Sequence, residues 1–440
     1  MIKNLVRSIA VALVLVGAVA ASAGMAPKRA VLPNGLVLLT SEQRALPIVS
    51  IELLIEAGSR YEPANQVGLA NLTARLLTYG TARRSAVQIN ETLDFIGASL
   101  EAACGADTAA ISMTILKKDL GSGLDLLAEI LTSSIFPAAE IDRQKQAVVA
   151  SIRAQQEDPG AVAQKTFVAA LFPGSPYGRP VEGTEASVKA LQQKTLKEFF
   201  ARHYRPNRSI LSVVGDVSEQ EITDALDRAF RGWRKGEANA PLLIPSKVGG
   251  AQTLRVNKDL TQANIVLGHA GVPRNHPDYY AIQVMNYILG GGGFASRAMD
   301  SIRNERGLAY SVYSFFGAEK SYGYFEFVMQ TKNETAQEAV RLAREEIRRM
   351  REQPVTEQEL SDAKDYLTGS FPLRFDTNRK VASFLAQVEF FRLGLDYPDR
   401  YHDLVSKVSQ ADVQRVATLY LQPEKIVTVI VGNQKKIGDQ

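Results

Sequence analysis

The sequence predicts an α+β fold built from two duplicated domains, each a β-sheet with helices packed on one face. The chain has 440 residues, which is too long for one hydrophobic core and fits two domains of ordinary size. Apolar residues make up 45% and charged residues 22%, as in globular proteins. Segments with strand and helix periodicity follow one another, and their order in the first half recurs in the second half.

The duplication is visible where matching segments end. Ala270-Gly271 ends a strand as Ala57-Gly58 does 213 positions earlier. Pro423–Gly432 repeats the pattern of Pro206–Gly215 at an offset of 217. Shared α+β composition would not hold so constant an offset, so we infer a duplicated domain.

The boundary between the two domains is predicted at 232–250. This stretch contains several Gly and Pro residues and is long for a connection inside a compact domain, so we interpret it as a linker. The predicted domains are therefore 24–231 and 251–440.

The first 23 residues are typical of a secretory signal peptide. Lys3 and Arg7 form a basic start, Ile9–Ala20 is an apolar run, and Ala21-Ser22-Ala23 is a small-residue cleavage site. An uncleaved anchor is the alternative, but the run is short for a membrane span, which needs about 20 apolar residues. We therefore expect export, and no membrane association after cleavage.

Charge and cysteine content narrow the function classes. The formal net charge is +4, and removal of Lys3 and Arg7 leaves +2, which argues against nucleic acid as the main partner. Cys104 is the only cysteine, so an intramolecular disulfide is impossible. Small neighbours on both sides suit a small buried residue there, whereas a reactive thiol would lack a histidine nearby in sequence.

Elements of the first half follow from periodicity and turn residues. The prediction, in order, is a strand–turn–strand around Asn34-Gly35, a strand over Ile48–Ile55, a helix within Gly68–Thr81, a helix over Val87–Ile96, strands at Ser99–Ala103 and Thr108–Leu116, helical sequence from Leu120 to Glu157, a loop over Ser175–Thr184, a helix over Glu185–Ala201, and a buried strand, Ile210–Val214.

Elements of the second half follow the same order. The prediction is a strand ending at Ala270-Gly271, a helix beginning at Gly290–Gly293, a pair of strands from Gly307 through Phe316 and over Tyr322–Gln330, a helix capped by Asn333, and a final strand ending at Gly432.

The helix within Gly68–Thr81 has two distinct faces. Four apolar residues recur at helical spacing and form one stripe: Leu69, Leu72, Leu76 and Tyr79. Residues three and four apart are neighbours on a helix, so a second set lies together on the opposite face: Asn71, Ala74, Arg75 and Thr78.

This helix resembles the zinc helix of the pitrilysin/insulinase-type metallopeptidases, the inverzincins, whose signature is H-x-x-E-H. In that family two histidines hold zinc and the glutamate activates water. The three positions here are Asn71, Ala74 and Arg75. Alanine can neither bind a metal nor transfer a proton, and arginine places a permanent positive charge where zinc would sit. The resemblance therefore implies the helix without its chemistry.

The third zinc ligand of the family is a glutamate on a later helix. The matching stretch here is Val148–Ile152, where neither Ala150 nor Ser151 is a carboxylate. All three ligand positions and the catalytic glutamate are thus lost together. We predict that this chain binds no zinc and no other cofactor.

The resemblance extends over nearly the whole chain after the signal peptide. Four further stretches look like family landmarks in the right order: Ala57–Arg60, Ser175–Thr184, Leu289–Arg297 and Gly307–Tyr310. The family fold implies that each domain is a mixed or antiparallel-rich sheet flanked by helices. Two or four such domains enclose a peptide-binding chamber.

An arginine and a tyrosine seven positions apart complete the family's active site from the C-terminal domain. Arg303 and Tyr310 match this pair in spacing and context, and the spacing selects Arg303 over Arg306. The tyrosine hydroxyl would donate to the oxyanion that forms at the peptide carbonyl, and the guanidinium would hold substrate oxygens. The alternative is that Tyr310 merely starts a strand and Arg303 is a surface helix residue.

Other motifs give weaker signals. Gly290–Gly293 lacks the Gly-Lys-Ser/Thr of a phosphate-binding loop, so a flexible helix start is the better interpretation. The four histidines, His203, His269, His276 and His402, have no metal-ligand spacing.

Together these observations favour a subunit that supplies only part of an active site. The resemblance implies the non-zinc subunit of a two-chain zinc metallopeptidase in a Gram-negative periplasm. A same-fold partner would carry the intact zinc motif, and this chain would offer Arg303 and Tyr310 to the partner's site. Unfolded peptides would be the substrates, held by addition of a strand to a sheet edge. The first alternative is a catalytically silent peptide-binding or scaffold protein of the same fold, and the second is an enzyme that works alone with another metal.

Overall fold

The computed structural model describes residues 25–237 and 247–438. The predicted signal peptide and residues 238–246 of the predicted linker lie outside the described residues. The strands are β1 Lys28–Val31, β2 Val37–Glu42, β3 Ile48–Ile55, β4 Ser99–Cys104, β5 Ala109–Leu116, β6 Ser209–Gly215, β7 Gln252–Asn257, β8 Gln262–Gly271, β9 Ala309–Ala318, β10 Gly323–Lys332 and β11 Val427–Gly432.

The α-helices alternate with these strands. They are α1 Leu69–Arg75, α2 Ala86–Phe95, α3 Leu120–Ser133, α4 Ala138–Glu157, α5 Pro159–Leu171, α6 Glu185–Ala190, α7 Gln193–His203, α8 Glu219–Ala229, α9 Tyr279–Asn286, α10 Ala336–Glu352, α11 Glu357–Ser370, α12 Asn378–Phe390, α13 Tyr397–Ser406, α14 Gln410–Tyr420 and α15 Gln434–Ile437. No described helix is long and apolar enough to cross a membrane.

The strands form two sheets with the same topology. The first sheet has the order β1-β2-β6-β3-β5-β4 and the second β7-β11-β8-β10-β9. In each sheet one pair is parallel, β2 with β6 and β7 with β11, and the other pairs are antiparallel. Without β1, the two orders match strand for strand. The predicted α+β fold of two duplicated units with mixed, antiparallel-rich sheets is confirmed.

Helices of each half pack on one face of their own sheet because alternate strand residues point to that face. In the first half, Leu38 and Val213 are buried on this side with Leu69 and Leu72 of α1. In the second half, the same face of the sheet packs against α9 and α10. This arrangement matches the prediction of helices on one face.

The opposite face of each sheet receives a helix from the other half. Val381 and Leu385 of α12 pack against Val214 in the first sheet. Phe167 of α5 packs against Val266 in the second sheet. Central strands are therefore buried on both faces, and β11 is buried along its whole length. The exchange of helices joins the two halves into one interlocked body.

Several helices differ from the prediction. Asn333, the predicted cap, lies in a 3-10 turn, Asn333–Thr335, and α10 begins after it at Ala336 with Thr335 as its N-cap. The helix predicted within Gly68–Thr81 ends at Arg75. Leu76 and Leu77 lie in the turn that follows the helix, and both are fully buried. The predicted apolar stripe is therefore buried, although its last residues are not helical. The helix predicted over Glu185–Ala201 is divided into α6 and α7, because the chain is extended at Leu191.

Candidate functional site

Helix α1 is held at its N-terminus by a buried carboxylate. Glu62 accepts hydrogen bonds from the backbone N–H of Gly68 at 3.0 Å and of Ala70 at 2.6 Å. A carboxylate in this position satisfies amides that have no partner within the helix and complements the positive end of its dipole. Burial nevertheless raises the pKa of Glu62 to about 7. Sequence reasoning missed this residue, because Glu62 precedes the helix and its role depends on a loop closing over it.

A glycine allows the Ser175–Thr184 loop to pack against the same helix end. Gly68 has φ 94°, a left-handed conformation that favours glycine, and a Cβ there would lie 2.7 Å from the Glu182 carbonyl oxygen. Two predicted family landmarks, the zinc-type helix and this loop, therefore meet at the start of α1.

The three zinc-motif positions lie on α1 without forming a metal site. Ala74 is fully buried, Asn71 is half-buried and Arg75 is exposed. The Arg75 Nε donates a hydrogen bond of 3.3 Å to Oε1 of Gln144 on α4. Arg75 is thus directed toward the helix that carries the family's third ligand.

The residues on α4 provide no replacement ligand. Ala150 and Ser151 are both exposed on this helix. Within residues 25–237 and 247–438, no three His, Cys, Asp or Glu side chains come together in a way that could hold a metal ion. Because the donor set at α1 is an amide, a methyl group and a cation, it does not fit Zn²⁺.

Arg303 and Tyr310 come together at the start of the edge strand β9. Arg303 lies in a π-helical turn, Met299–Asn304, and its guanidinium carbon is 5.9 Å from the centroid of the Tyr310 ring. The same carbon is 5.0 Å from the centroid of the Phe294 ring. Both rings favour a cation over their faces. The guanidinium therefore lies within cation–π distance of two aromatic rings.

This arginine retains free hydrogen-bonding capacity. Its Nη1 contacts the Met299 sulfur at 3.7 Å, and no carboxylate of the described chain forms an ion pair with it. Tyr310 is 76% exposed and Phe294 is 73% exposed. The group therefore presents the remaining N–H donors of the guanidinium and one phenol to a molecule that binds this surface.

Close backbone packing under β9 depends on the glycine-rich segment. A Cβ at Gly290 would lie 2.6 Å from the backbone nitrogen of Ser314 on β9. The Ser314 hydroxyl also donates to Oδ1 of Asn286 at 2.8 Å. Gly290 and Gly291 are the last two residues of the π-helical turn Tyr287–Gly291, so the predicted flexible helix start at Gly290–Gly293 is wrong. Its glycines end one helical segment and let it approach the strand.

Phe294 was not identified from the sequence. It follows Gly293, whose φ of 56° turns the chain into the 3-10 turn Gly293–Ala295 and brings the Phe294 ring over Arg303. An aromatic residue nine positions before a cation has no periodic signature in the sequence. Only the spacing of Arg303 and Tyr310 was detectable.

The two candidate groups remain separate in this chain. Asn71, Ala74 and Arg75 lie in the first half, Arg303 and Tyr310 in the second, and no hydrogen bond or ion pair among the described residues connects them.

A buried polar cluster joins the two halves. Arg60 Nη1 lies 3.1 Å from Asp107 Oδ1 and 3.1 Å from the Tyr177 hydroxyl, and that hydroxyl donates to Asp107 Oδ1 at 3.0 Å. Tyr177 Oη is also 2.9 Å from Ser321 Oγ in the β9–β10 turn. The landmarks at Ala57–Arg60 and Ser175–Thr184 thus converge on a structural contact between halves.

Cys104 is half-buried rather than fully buried at the end of β4. Its Sγ lies 3.3 Å from the Gly105 carbonyl oxygen, and burial raises the pKa of the thiol well above its usual range. The thiol is therefore neutral at pH 7, which disfavours the reactive alternative.

Two family models match the chain. The model described as insulinase, peptidase family M16, matches residues 37–185, and the model described as peptidase M16 inactive domain matches residues 190–367. The first match contains Asn71, Ala74 and Arg75, and the second contains Arg303 and Tyr310.

Curated relatives and a solved structure agree with these models. An uncharacterized zinc protease of Rickettsia felis is 30% identical over 337 residues, which is 76% of this chain and 81% of that protein. The non-peptidase homolog YmxG of Helicobacter pylori is 27% identical over 401 residues, 91% of this chain and 92% of that protein. A crystal structure described as the peptidase M16 inactive domain from Pseudomonas fluorescens superimposes with a TM-score of 0.88 at 27% identity, covering 93% of this chain and 99% of that one. With the zinc-motif positions replaced and the fold of both halves retained, this chain belongs to the insulinase (M16) peptidase family, as a member of the inactive type.

Proposed function

We propose that this chain is the non-zinc-binding subunit of an exported heterodimeric zinc metallopeptidase. A same-fold partner with an intact zinc motif would supply the metal and the activated water. This chain would supply substrate binding and the Arg303–Tyr310 pair. Zinc would be bound by the partner, and this chain would carry no cofactor of its own.

The observation that carries the proposal is that the zinc-binding residues at α1 are replaced, whereas the Arg303–Tyr310 pair at β9 is retained. At α1 every zinc ligand is replaced, and Arg75 is engaged with Gln144. At β9 the Arg303 guanidinium is held by two rings and has no carboxylate partner in the described chain. A half-buried arginine beside two exposed aromatic side chains contributes little to a core, so its arrangement favours a ligand.

The chemistry of the pair suits peptide hydrolysis. The Tyr310 hydroxyl would donate a hydrogen bond to the oxyanion formed when water attacks a peptide carbonyl. The Arg303 guanidinium would hold a neighbouring substrate carbonyl or carboxylate with its fixed fork of donors. Because the Phe294 and Tyr310 rings already restrict the arginine, little side-chain entropy is lost when substrate binds.

The peptide would lie along a sheet edge. β9 is an edge strand of ten residues that begins beside Tyr310. Edge strands expose unpaired N–H and C=O groups that can pair with an extended peptide. Backbone pairing gives affinity with little demand on sequence, which suits a peptidase for unfolded substrates.

The experiment combines this chain with its zinc-bearing companion. Cleavage of an unfolded, internally quenched peptide is measured for the companion alone and for the 1:1 mixture. Activity is expected only in the mixture. Arg303→Ala and Tyr310→Phe in this chain should each lower kcat/KM of the mixture by about 10²-fold, the usual scale for loss of one transition-state donor.

Matched controls are available among exposed residues of the same half. Arg306 is exposed three positions from Arg303, and Tyr366 is 57% exposed on α11. Arg306→Ala and Tyr366→Phe should leave the rate unchanged. A companion whose activity is unaffected by this chain, or by both site variants, would contradict the proposed role.

A second candidate is a catalytically silent peptide-binding or scaffold protein. The YmxG relative, named a non-peptidase homolog, favours it. In that case the mixture would show complex formation with no gain in peptidase activity, and the peptide would bind this chain without being cleaved.

Export to a periplasm is part of the same proposal. The basic start, apolar run and Ala21-Ser22-Ala23 site support it. N-terminal sequencing of the protein from the periplasmic fraction should begin at Gly24. A retained Met1 in the membrane fraction would contradict cleavage.

A further inference from the structure

A buried glutamate lies on the face of the second sheet that α5 covers only in part. Glu326 on β10 is 7% exposed, and its Oε2 accepts a hydrogen bond of 2.7 Å from Nε2 of Gln164 on α5. No Lys, Arg or His of the described chain forms an ion pair with Glu326. A buried carboxylate is costly unless a cation or several donors compensate its charge.

Aromatic side chains surround this carboxylate. Phe315 lies directly opposite Glu326 on β9, and Tyr313 lies one pair further along the same face. Tyr324 precedes Glu326 by two residues on β10, and its ring is 6.3 Å from that of Phe315, between centroids. A Cβ at Gly317 would lie 2.7 Å from the Tyr324 ring, so the glycine lets that ring lie beside Phe315.

These rings are accessible. Tyr313 is 44% exposed and Phe315 is 47% exposed, although both lie on a sheet face. Burial and the Glu326 carboxylate together raise the pKa of Tyr313. The carboxylate thus lies at the floor of an open aromatic surface.

The corresponding face of the first sheet shows the compensation that Glu326 lacks. Glu52 on β3 is also 7% exposed and accepts a hydrogen bond from Ser112. Glu101 lies opposite Ser112 on the same face, and Arg379 of α12 forms an ion pair with it at 2.8 Å. The first sheet therefore receives a cation from the helix of the other half, whereas the second receives the neutral amide of Gln164.

We infer that Glu326, with Tyr313, Phe315 and Tyr324, forms a subsite for a lysine or arginine side chain of the bound peptide. Aromatic faces attract organic cations, and a carboxylate at the floor adds a charge-assisted hydrogen bond. A single carboxylate among rings offers too few oxygens for Ca²⁺ or Mg²⁺. The inference rests on the proposed function, because it assumes that a peptide lies along β9.

The position of the subsite predicts where the basic residue lies in the substrate. Strand β9 rises about 3.4 Å per residue, so Phe315 is about 17 Å from Tyr310. An extended peptide along β9 would place its basic side chain about five residues from the bond cleaved beside Tyr310. The subsite thus adds a sequence preference to backbone pairing.

Two fluorescein-labelled 12-residue peptides test the inference on the full chain. They have the same Ala/Ser/Thr-rich sequence and differ at one central position, lysine in one and norleucine in the other. Fluorescence anisotropy gives the two Kd values. The wild-type chain should bind the lysine peptide about 10-fold more tightly, the scale of one charge-assisted hydrogen bond plus a cation–π contact.

Variants locate the preference. Glu326→Gln keeps an oxygen acceptor for Gln164 and should abolish the preference for lysine without weakening binding of the norleucine peptide. Glu52→Gln is the matched control, and the preference should persist. Phe315→Leu replaces an exposed ring and should reduce the preference several-fold, which provides a test even if the buried variant fails to fold.

Three results would overturn the inference. Equal binding of the two peptides by the wild-type chain refutes the subsite and leaves the proposed function intact. A lysine preference that survives Glu326→Gln, or that disappears equally in Glu52→Gln, refutes the assignment to Glu326. Binding of neither peptide, alone or with the zinc-bearing companion, overturns this inference together with the proposed peptide binding.

Discussion

Replacement of Asp107 by alanine should show how much more a buried ion pair contributes to stability than an exposed one. Asp107 Oδ1 accepts from Arg60 and from the Tyr177 hydroxyl, which in turn contacts Ser321 of the second half. The side chains of Arg60 and Asp107 are only 7% and 6% exposed. Asp107→Ala would therefore leave a buried guanidinium without an anion.

The expected cost is large because one charge stays behind. Removal of one partner from a buried ion pair costs about 3–5 kcal/mol of unfolding free energy. The matched control is Glu101→Ala, since Glu101 and Arg379 also join the halves, at 2.8 Å. Their side chains are 66% and 57% exposed, so solvent screens the pair and its loss should cost about 0–1 kcal/mol.

Urea denaturation of the full chain, followed by circular dichroism, measures the difference. The double variant Arg60→Met/Asp107→Leu should be more stable than Asp107→Ala, because it leaves no unpaired buried charge. Equal and small losses for Asp107→Ala and Glu101→Ala would refute the reasoning. So would a double variant that is less stable than the single one.

Two further predictions concern acid sensitivity and backbone packing. His269 Nε2 accepts from the Gln422 N–H at 3.1 Å, so Nδ1 carries the proton and donates to the Ala270 carbonyl oxygen, and burial lowers the pKa of His269 to about 4. As pH falls, the unfolded chain binds this proton before the folded chain does, so stability is lost between about pH 6.5 and 4, by about 2 kcal/mol at pH 5. His269→Gln removes this pH-dependent loss, so the destabilisation caused by the substitution, measured by urea titration, should be smaller at pH 5 than at pH 7.5. An equal destabilisation at both pH values would contradict the prediction. Gly290→Ala should cost about 1–3 kcal/mol in the same assay, because its Cβ would meet the β9 backbone, whereas Gly250→Ala, which meets nothing within 4 Å, should be neutral.

Local pattern predicted most strands of this fold. Ile48–Ile55 is strand β3, and the constant offset between halves predicted the matching sheets. The exchange of α5 and α12 was not predictable, because an apolar helix face does not indicate which sheet it covers. The apolar sequence of β11 indicates a strand buried on both faces, but it does not indicate which helix covers it.

The candidate site was predicted only where spacing carried the signal. Arg303 and Tyr310 were found through their seven-residue separation, and the structure places them 5.9 Å apart as cation and ring. Phe294, Glu62 and Glu326 were missed, since each depends on a chain reversal, a closing loop or a cross-strand partner. Such contacts join residues distant in sequence, and hydrophobic periodicity does not encode them.

Retention of the zinc-type helix by itself says little about function. Leu69, Leu72 and Ala74 of α1 are all buried in the first core, so packing alone preserves this helix after the ligands are lost. Arg303 has no comparable structural reason, because its aromatic neighbours Phe294 and Tyr310 are mostly exposed. Burying two aromatic rings would stabilise a fold, whereas exposing them around a cation does not. The Arg303–Tyr310 pair at β9, rather than the zinc-type helix α1, is therefore the stronger physical argument that this chain acts on a ligand.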